Sequence, residues 1–158
     1  MDRLLVTSGS PAETRRIGGR LARLLRPGDV VLLQGELGAG KTCLAQGIGA
    51  GLGVASRIKS SAFVLLSEYP GRLTLYLADL YRLGDPQEVA DLALEESAAD
   101  GVLAVEWPER AWREMPPERL LVRIESTGER SREMTFEAHG ARYEELLAAF
   151  ASRLGERR

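Results

Sequence analysis

The 158-residue sequence predicts an α/β fold, a mixed parallel and antiparallel sheet flanked by helices. Three observations predict it. Short apolar runs bounded by turn residues at 30–33 and 102–105 read as buried strands. Two pairs of alternating segments are each joined by a turn signal and read as hairpins. Two further segments open with a helix-capping pattern containing proline.

In chain order, Ser10-Pro11-Ala12-Glu13 opens the first helix. Ser10 caps, Pro11 fits the first helical position, and Glu13 closes a capping box. The helix is expected to run to about Leu25 and stop at Pro27-Gly28. Asp29 leads into the strand at 30–33, and residues 35–40 form a loop. A helix from Lys41 to about Ala50 follows, ended by Gly51 and Gly53. Strands at 62–69 and 72–78 are joined by Pro70-Gly71. Asp85-Pro86-Gln87-Glu88 repeats the capping logic and opens a helix to about Ala99. After the strand at 102–105, strands at 120–125 and 133–138 flank Thr127-Gly128. A C-terminal helix at 142–154 carries Tyr143, Leu146, Leu147 and Phe150 on one face.

Composition bounds the function. With 44% hydrophobic and 28% charged residues, the chain has a globular balance, which excludes a disordered or fibrous protein. Length favours one domain over 1–158. No apolar run approaches the ~18 residues a membrane helix needs. Met1-Asp2-Arg3 is not followed by a long apolar region, so no secretory signal and no membrane contact are expected. Cys43 is the single cysteine, which excludes an internal disulfide framework and fits a cytoplasmic protein. Residues 1–79 hold ten basic and six acidic residues; residues 80–158 hold eleven and seventeen. Without a dense basic run, direct RNA binding is not expected. Only Lys41 and Lys59 are lysines among 21 basic residues. A chain that writes arginine nearly everywhere keeps lysine at two places, which calls for a reason.

Residues 35–42 read GELGAGKT, a full match to G-x-x-x-x-G-K-[ST] after an apolar strand and before a helix. Gly35, Gly38 and Gly40 let the backbone turn and aim N–H groups at phosphate oxygens, and the helix start adds positive dipole. Lys41 reaches phosphate as a compact point charge, for which the planar fork of Arg is a poor substitute. Thr42 offers a hydroxyl to Mg²⁺. Glu36, Leu37 and Ala39 complete the nucleotide-binding loop, with Cys43 beside it. For the Cys43 thiol, a small helix residue is preferred over a redox switch.

A phosphate-loop site also needs an acid near the metal. The strand at 72–78 ends at Asp79, and the strand at 102–105 ends at Glu106. Both are candidates for metal ligand or water-activating base, and the residues alone leave those roles unassigned. Trp107 is a candidate wall of the nucleotide pocket, against a plain core tryptophan. Arg130 is a candidate for adenine or phosphate, against a solvated loop arginine. His139 reads as a turn residue, which leaves no Ser/His/Asp triad and no zinc cluster.

The segments GELGAGKT at 35–42, IKSSAFVLLSEY at 58–69, DLYRLGDPQEV at 79–89 and VEWPER at 105–110 resemble the TsaE (YjeE) family of bacterial tRNA modification proteins. The resemblance covers nearly the whole chain. It implies a small phosphate-loop NTPase-like α/β domain that binds ATP and Mg²⁺ and hydrolyses ATP slowly alone. It implies action on the TsaB–TsaD complex, which transfers a threonylcarbamoyl group to N6 of adenosine 37 in tRNAs reading codons that begin with A. The ATPase itself would reset that transferase and meet tRNA only indirectly. Lys41 and Thr42 keep their phosphate and metal roles, and Asp79 and Glu106 match the family's two acids. The sequence departs from the family pattern in three places. Lys59-Ser60-Ser61-Ala62 stands where Lys-Ser-Pro-Thr is usual, Leu77 where His is frequent, and Cys43 where Thr is common. The Ala62 departure keeps a second reading open, a nucleotide-gated assembly module with little hydrolysis. A small-molecule kinase is a third: Arg110, Arg113 and Arg119 could serve as lid arginines, but Pro108, Pro116 and Pro117 break that segment into a connecting loop.

Overall fold

The computed structural model describes residues 1–59 and 65–155. Seven strands form one sheet: β1 (Arg3–Ser8), β2 (Val30–Gln34), β3 (Leu66–Tyr69), β4 (Leu75–Asp79), β5 (Val102–Glu106), β6 (Arg119–Ser126) and β7 (Arg132–His139). Their spatial order is β1-β7-β6-β2-β5-β4-β3. The central four, β6-β2-β5-β4, are parallel; β7 and β1 on one side and β3 on the other pair antiparallel. The predicted mixed sheet is therefore observed, and the four central strands end on the same edge.

Helices α1 (Pro11–Ala22), α2 (Lys41–Gly51) and α5 (Ala141–Gly155) cover one face. The short helices α3 (Gln87–Leu92) and α4 (Leu94–Ser97), with a 3-10 segment at Pro108–Glu114, cover the other. Each central strand feeds both cores. In β2, Val31 and Leu33 face the first while Val30 and Leu32 face the second. That two-sided burial is why the strand reads as an unbroken apolar run.

Helices α1 and α2 touch through glycine. A Cβ on Gly18 would lie 2.7 Å from the Leu44 carbonyl oxygen, and one on Gly47 would collide with the Arg15 carbonyl. Only hydrogen fits at those crossings, so the helix behind the 35–42 loop is held at backbone contact distance.

Most boundaries match expectation within a few residues. Ser10 Oγ accepts the Glu13 N–H at 3.1 Å, as the capping box requires. The first helix ends at Ala22, three residues early, yet Leu25 is still buried. Residues 62–64 of the expected 62–69 strand lie outside the described residues, as do Ser60 and Ser61. One strand is added and one expectation is corrected. Strand β1 was not anticipated. The expected 85–99 helix is broken at Ala93, whose φ of 46° is left-handed, so α3 and α4 meet at a corner that buries Val89 and Leu94. Among the described residues no helix is long and apolar enough to cross a membrane.

One ion pair pins α5 to the start of β2. Arg142 donates to both oxygens of Asp29, at 3.0 and 2.7 Å, and to the Leu24 carbonyl at 2.9 Å. Asp29 is only 4% exposed. Without Arg142 the buried Asp29 carboxylate keeps only the Arg26 N–H, at 2.7 Å, and loses its counter-charge, so Arg142→Ala is expected to cost about 3 kcal/mol, read by urea denaturation.

Candidate nucleotide site

The loop at 35–40 leaves β2 where its parallel neighbours also end. Gly35 is pressed against β6: a Cβ there would lie 2.6 Å from the Ile124 carbonyl oxygen. Gly38 and Gly40 take φ of 78° and 110°, the left-handed region that glycine enters without strain. Gly40 caps α2 with no side-chain hydrogen bond. The first N–H groups of α2 therefore lack intrahelical partners, and the helix dipole points its positive end into the loop. Such a start binds anions.

Lys41 is 5% exposed. Its Nζ donates to the carbonyls of Gly35 and, at 2.9 Å, Glu36, and sits 4.2 Å from the centroid of the Trp107 ring. Burial pulls the ammonium below its ordinary pKa, while Glu106, Glu109, Asp79 and Glu36 push it back up. Trp107 itself has φ 60°, which is strained for a residue with a side chain. That backbone turn places the indole against Tyr81, with centroids 4.9 Å apart, and Arg110 lies 5.4 Å from the Tyr81 ring.

Asp79 and Glu106 are register partners at the ends of β4 and β5. Glu106 is 3% exposed, and its Oε2 has no hydrogen-bond partner among the described residues. Burial raises its pKa to about 7, and Asp79 adds to the rise. Lys41 and a hydrogen bond from Thr42 act in the opposite direction. One Asp79 oxygen accepts the Tyr81 N–H at 3.0 Å. The result is a glycine loop, an ammonium, a hydroxyl and two carboxylates on one edge of the sheet.

The sequence model described as threonylcarbamoyl adenosine biosynthesis protein TsaE matches residues 8–134. The chain belongs to the TsaE family. The tRNA threonylcarbamoyladenosine biosynthesis protein TsaE of Bacillus subtilis is 42% identical over 139 residues, 87% of each chain. That of Treponema pallidum is 41% identical over 81% of this chain and 96% of its own. That of Streptomyces coelicolor is 42% identical over 82% and 93%. The crystal structure of Bacillus subtilis YdiB superposes with a TM-score of 0.79 at 36% identity, covering 96% of this chain and 95% of the other.

In this TsaE-family chain the expected site residues fall unevenly around the loop. Lys41, Thr42, Asp79, Glu106 and Trp107 converge. Glu36 and Leu37 are exposed at the loop's tip, and Ala39 is buried beneath it. Cys43 is half-buried and turned toward α1: its Sγ donates to the Pro11 carbonyl at 3.2 Å and accepts from Arg15 at 3.3 Å. Its position suits a backbone N–H at the helix start. Arg130 is exposed in the β6–β7 turn. The arginine that does reach the loop is Arg132, two residues on, which was not singled out from sequence. Leu77 is buried in the core on the face that α1, α2 and α5 cover. Lys59 is exposed, its carbonyl accepting from the Tyr69 hydroxyl. Ala62 lies outside the described residues. Buried Pro108 and Ala111 anchor the 3-10 segment, which favours a fixed connection over a kinase lid.

Proposed function

We propose that this chain is a Mg²⁺-dependent ATPase of tRNA threonylcarbamoyladenosine biosynthesis, folded as one phosphate-loop domain over 1–158. It acts in the cytoplasm on the TsaB–TsaD complex and does not transfer the threonylcarbamoyl group itself. The observation that carries this reading is the convergence of Lys41, Thr42, Asp79 and Glu106 beside the glycine loop. Family membership supplies the pathway.

The loop N–H groups and Lys41 bind the phosphates of ATP, and after hydrolysis those of ADP. Trp107 walls the site beside Lys41. Thr42, Asp79 and Glu106 would hold Mg²⁺. The fit rests on the chain's own donors: hard oxygens throughout, one of them a buried carboxylate oxygen without a partner. Among the described residues no group of three or more His, Cys, Asp or Glu gathers. That suits an ion held by one or two carboxylates and by phosphate oxygens. The bound ion would neutralise charge developing on the transferred phosphoryl group. In the free protein Glu106 has a pKa of about 7, and when it is not on the ion its carboxylate can take a proton from water at neutral pH. Contact with tRNA is indirect, through the partner complex.

Phosphate release with and without TsaB–TsaD tests this. Turnover is expected to rise roughly tenfold or more on assembly. Flat turnover in a complex shown to assemble would count heavily against the ATPase reading. Ala62, where the family usually has Thr, keeps the assembly-module alternative open. ATP-dependent docking without single-turnover hydrolysis would select it.

A further inference from the structure

The geometry points to Arg132 as a positioning residue of the phosphate site, a strap that sets the direction of the Gly40 N–H. The inference rests on the nucleotide reading above and adds a residue from β7, two strands away from β2 in the sheet. Arg132 opens β7, yet its guanidinium crosses to the loop. Nε donates to the Ala39 carbonyl at 2.8 Å and Nη2 to the Gly38 carbonyl at 3.1 Å. Nη1 donates backwards to the carbonyls of Ser131 at 2.8 Å, Gly128 at 3.2 Å and Glu129 at 3.4 Å. One planar group thus ties two successive loop carbonyls to the β6–β7 turn.

The anchor is itself closed. Thr127 N–H donates to the Ser131 carbonyl at 3.1 Å, and Ser126 Oγ donates to the Gly128 carbonyl at 2.9 Å. The held end is not. Gly38 and Gly40 have the widest backbone freedom of any residue type, so the peptides between them would otherwise sample several orientations. A peptide is planar and trans, so its C=O and N–H point in opposite directions. Fixing the Ala39 carbonyl therefore fixes the Gly40 N–H on the opposite side, at the start of α2. The closeness is direct: a Cβ on Gly40 would lie 3.7 Å from Arg132 Nε.

The charge matters as well as the geometry. All five of these acceptors are backbone carbonyls, so no carboxylate in the set cancels the guanidinium. A cation on the carbonyl end polarises each peptide and makes its N–H a stronger donor toward an anion. The fork shape is needed too, since an ammonium lacks the rigid parallel donors that span neighbouring carbonyls.

The test compares ADP affinity by calorimetry, and amide exchange at Gly40, in the full-length wild type, Arg132→Gln and Arg132→Lys. Arg153→Gln, an exposed arginine on α5, is the charge control and is expected to bind like the wild type. Arg132→Gln is expected to weaken ADP binding on the order of tenfold or more and to speed Gly40 exchange. Amides within β6 should exchange unchanged, which a merely structural role does not predict. Arg132→Lys should recover only a minor part of the loss, with KM raised more than kcat is lowered. Should Arg132→Gln fail to fold, Arg132→Lys decides, and wild-type affinity in it overturns the strap. ADP binding within twofold of wild type in folded Arg132→Gln overturns it likewise. A wild type that binds no ADP overturns both this inference and the nucleotide reading. A wild type that binds while the variants match it overturns only the strap.

Discussion

Glu106→Gln is expected to abolish nearly all hydrolysis while making the free protein more stable at pH 8. The activity half follows from the proposed role. Removing a positioned base or a metal ligand costs on the order of a hundredfold or more in turnover. The stability half follows from burial. Glu106 is 3% exposed, and its Oε2 has no partner among the described residues. Its folded pKa of about 7 lies above the ordinary 4.5 because burial and then Asp79 disfavour the charge. A raised acid pKa means that the folded state holds a proton which the unfolded chain releases. That stabilisation is fully present below about pH 4.5 and is lost as pH rises toward 7. Glutamine keeps the shape and removes the titration. The variant should therefore gain about 2–3 kcal/mol over wild type at pH 8 and almost nothing at pH 4. Urea midpoints at the two pH values, without Mg²⁺ or nucleotide, check the prediction. Equal stability at pH 8 would mean that Glu106 is better solvated than its surroundings indicate.

Such stored cost is common at sites built to meet a ligand. It also explains which parts of the site the sequence displays. An acid that closes an apolar run is visible as a pattern, and Asp79 and Glu106 were legible for that reason. The glycine loop was legible because its chemistry is local: eight consecutive residues carry the turn, the donors and the cation. Arg132 was not. It acts across more than ninety residues of chain, and nothing within the turn ranks it above Arg130. Only the β6–β7 register, which pairs Arg132 with Ser126, turns one arginine toward the loop and leaves the other in solvent. Strand β1 was obscured differently. Leu4 and Val6 pack inward, but Leu5 between them is 58% exposed, which spoils the alternation. The corner at Ala93 had no signal, since alanine is a strong helix former and its left-handed φ is imposed by packing on both sides. Trp107 shows the same limit. Its place after Glu106 was legible, but its left-handed backbone and its stacking under Lys41 were not.

Lys41→Ala is expected to weaken ATP binding by about a hundredfold, and Lys41→Arg to restore little of it. The reason lies in the size and donors of the cradle. Lys41 Nζ is held by two carbonyls, those of Gly35 and Glu36, over the face of Trp107. A guanidinium brings five N–H groups into a space that offers two carbonyl acceptors and a ring, and its plane must displace the indole or the loop. This is a physical reason for lysine to persist at 41 in a chain that otherwise writes its cations as arginine. The ammonium is also half of a charge arrangement. Burial works against it, and Glu106 is the largest of the acids that hold it charged, while Lys41 in turn restrains the rise of Glu106. Removing the cation alone should push the Glu106 pKa further up. The two substitutions should therefore not be additive in folding stability. Lys41→Ala is expected to cost less in a Glu106→Gln background than in wild type, with a coupling of about 1–3 kcal/mol in a double-mutant cycle. Additivity to within about 0.5 kcal/mol would mean that the two charges do not feel each other. Lysine and glutamate would then occupy the same edge of the sheet without forming one electrostatic unit.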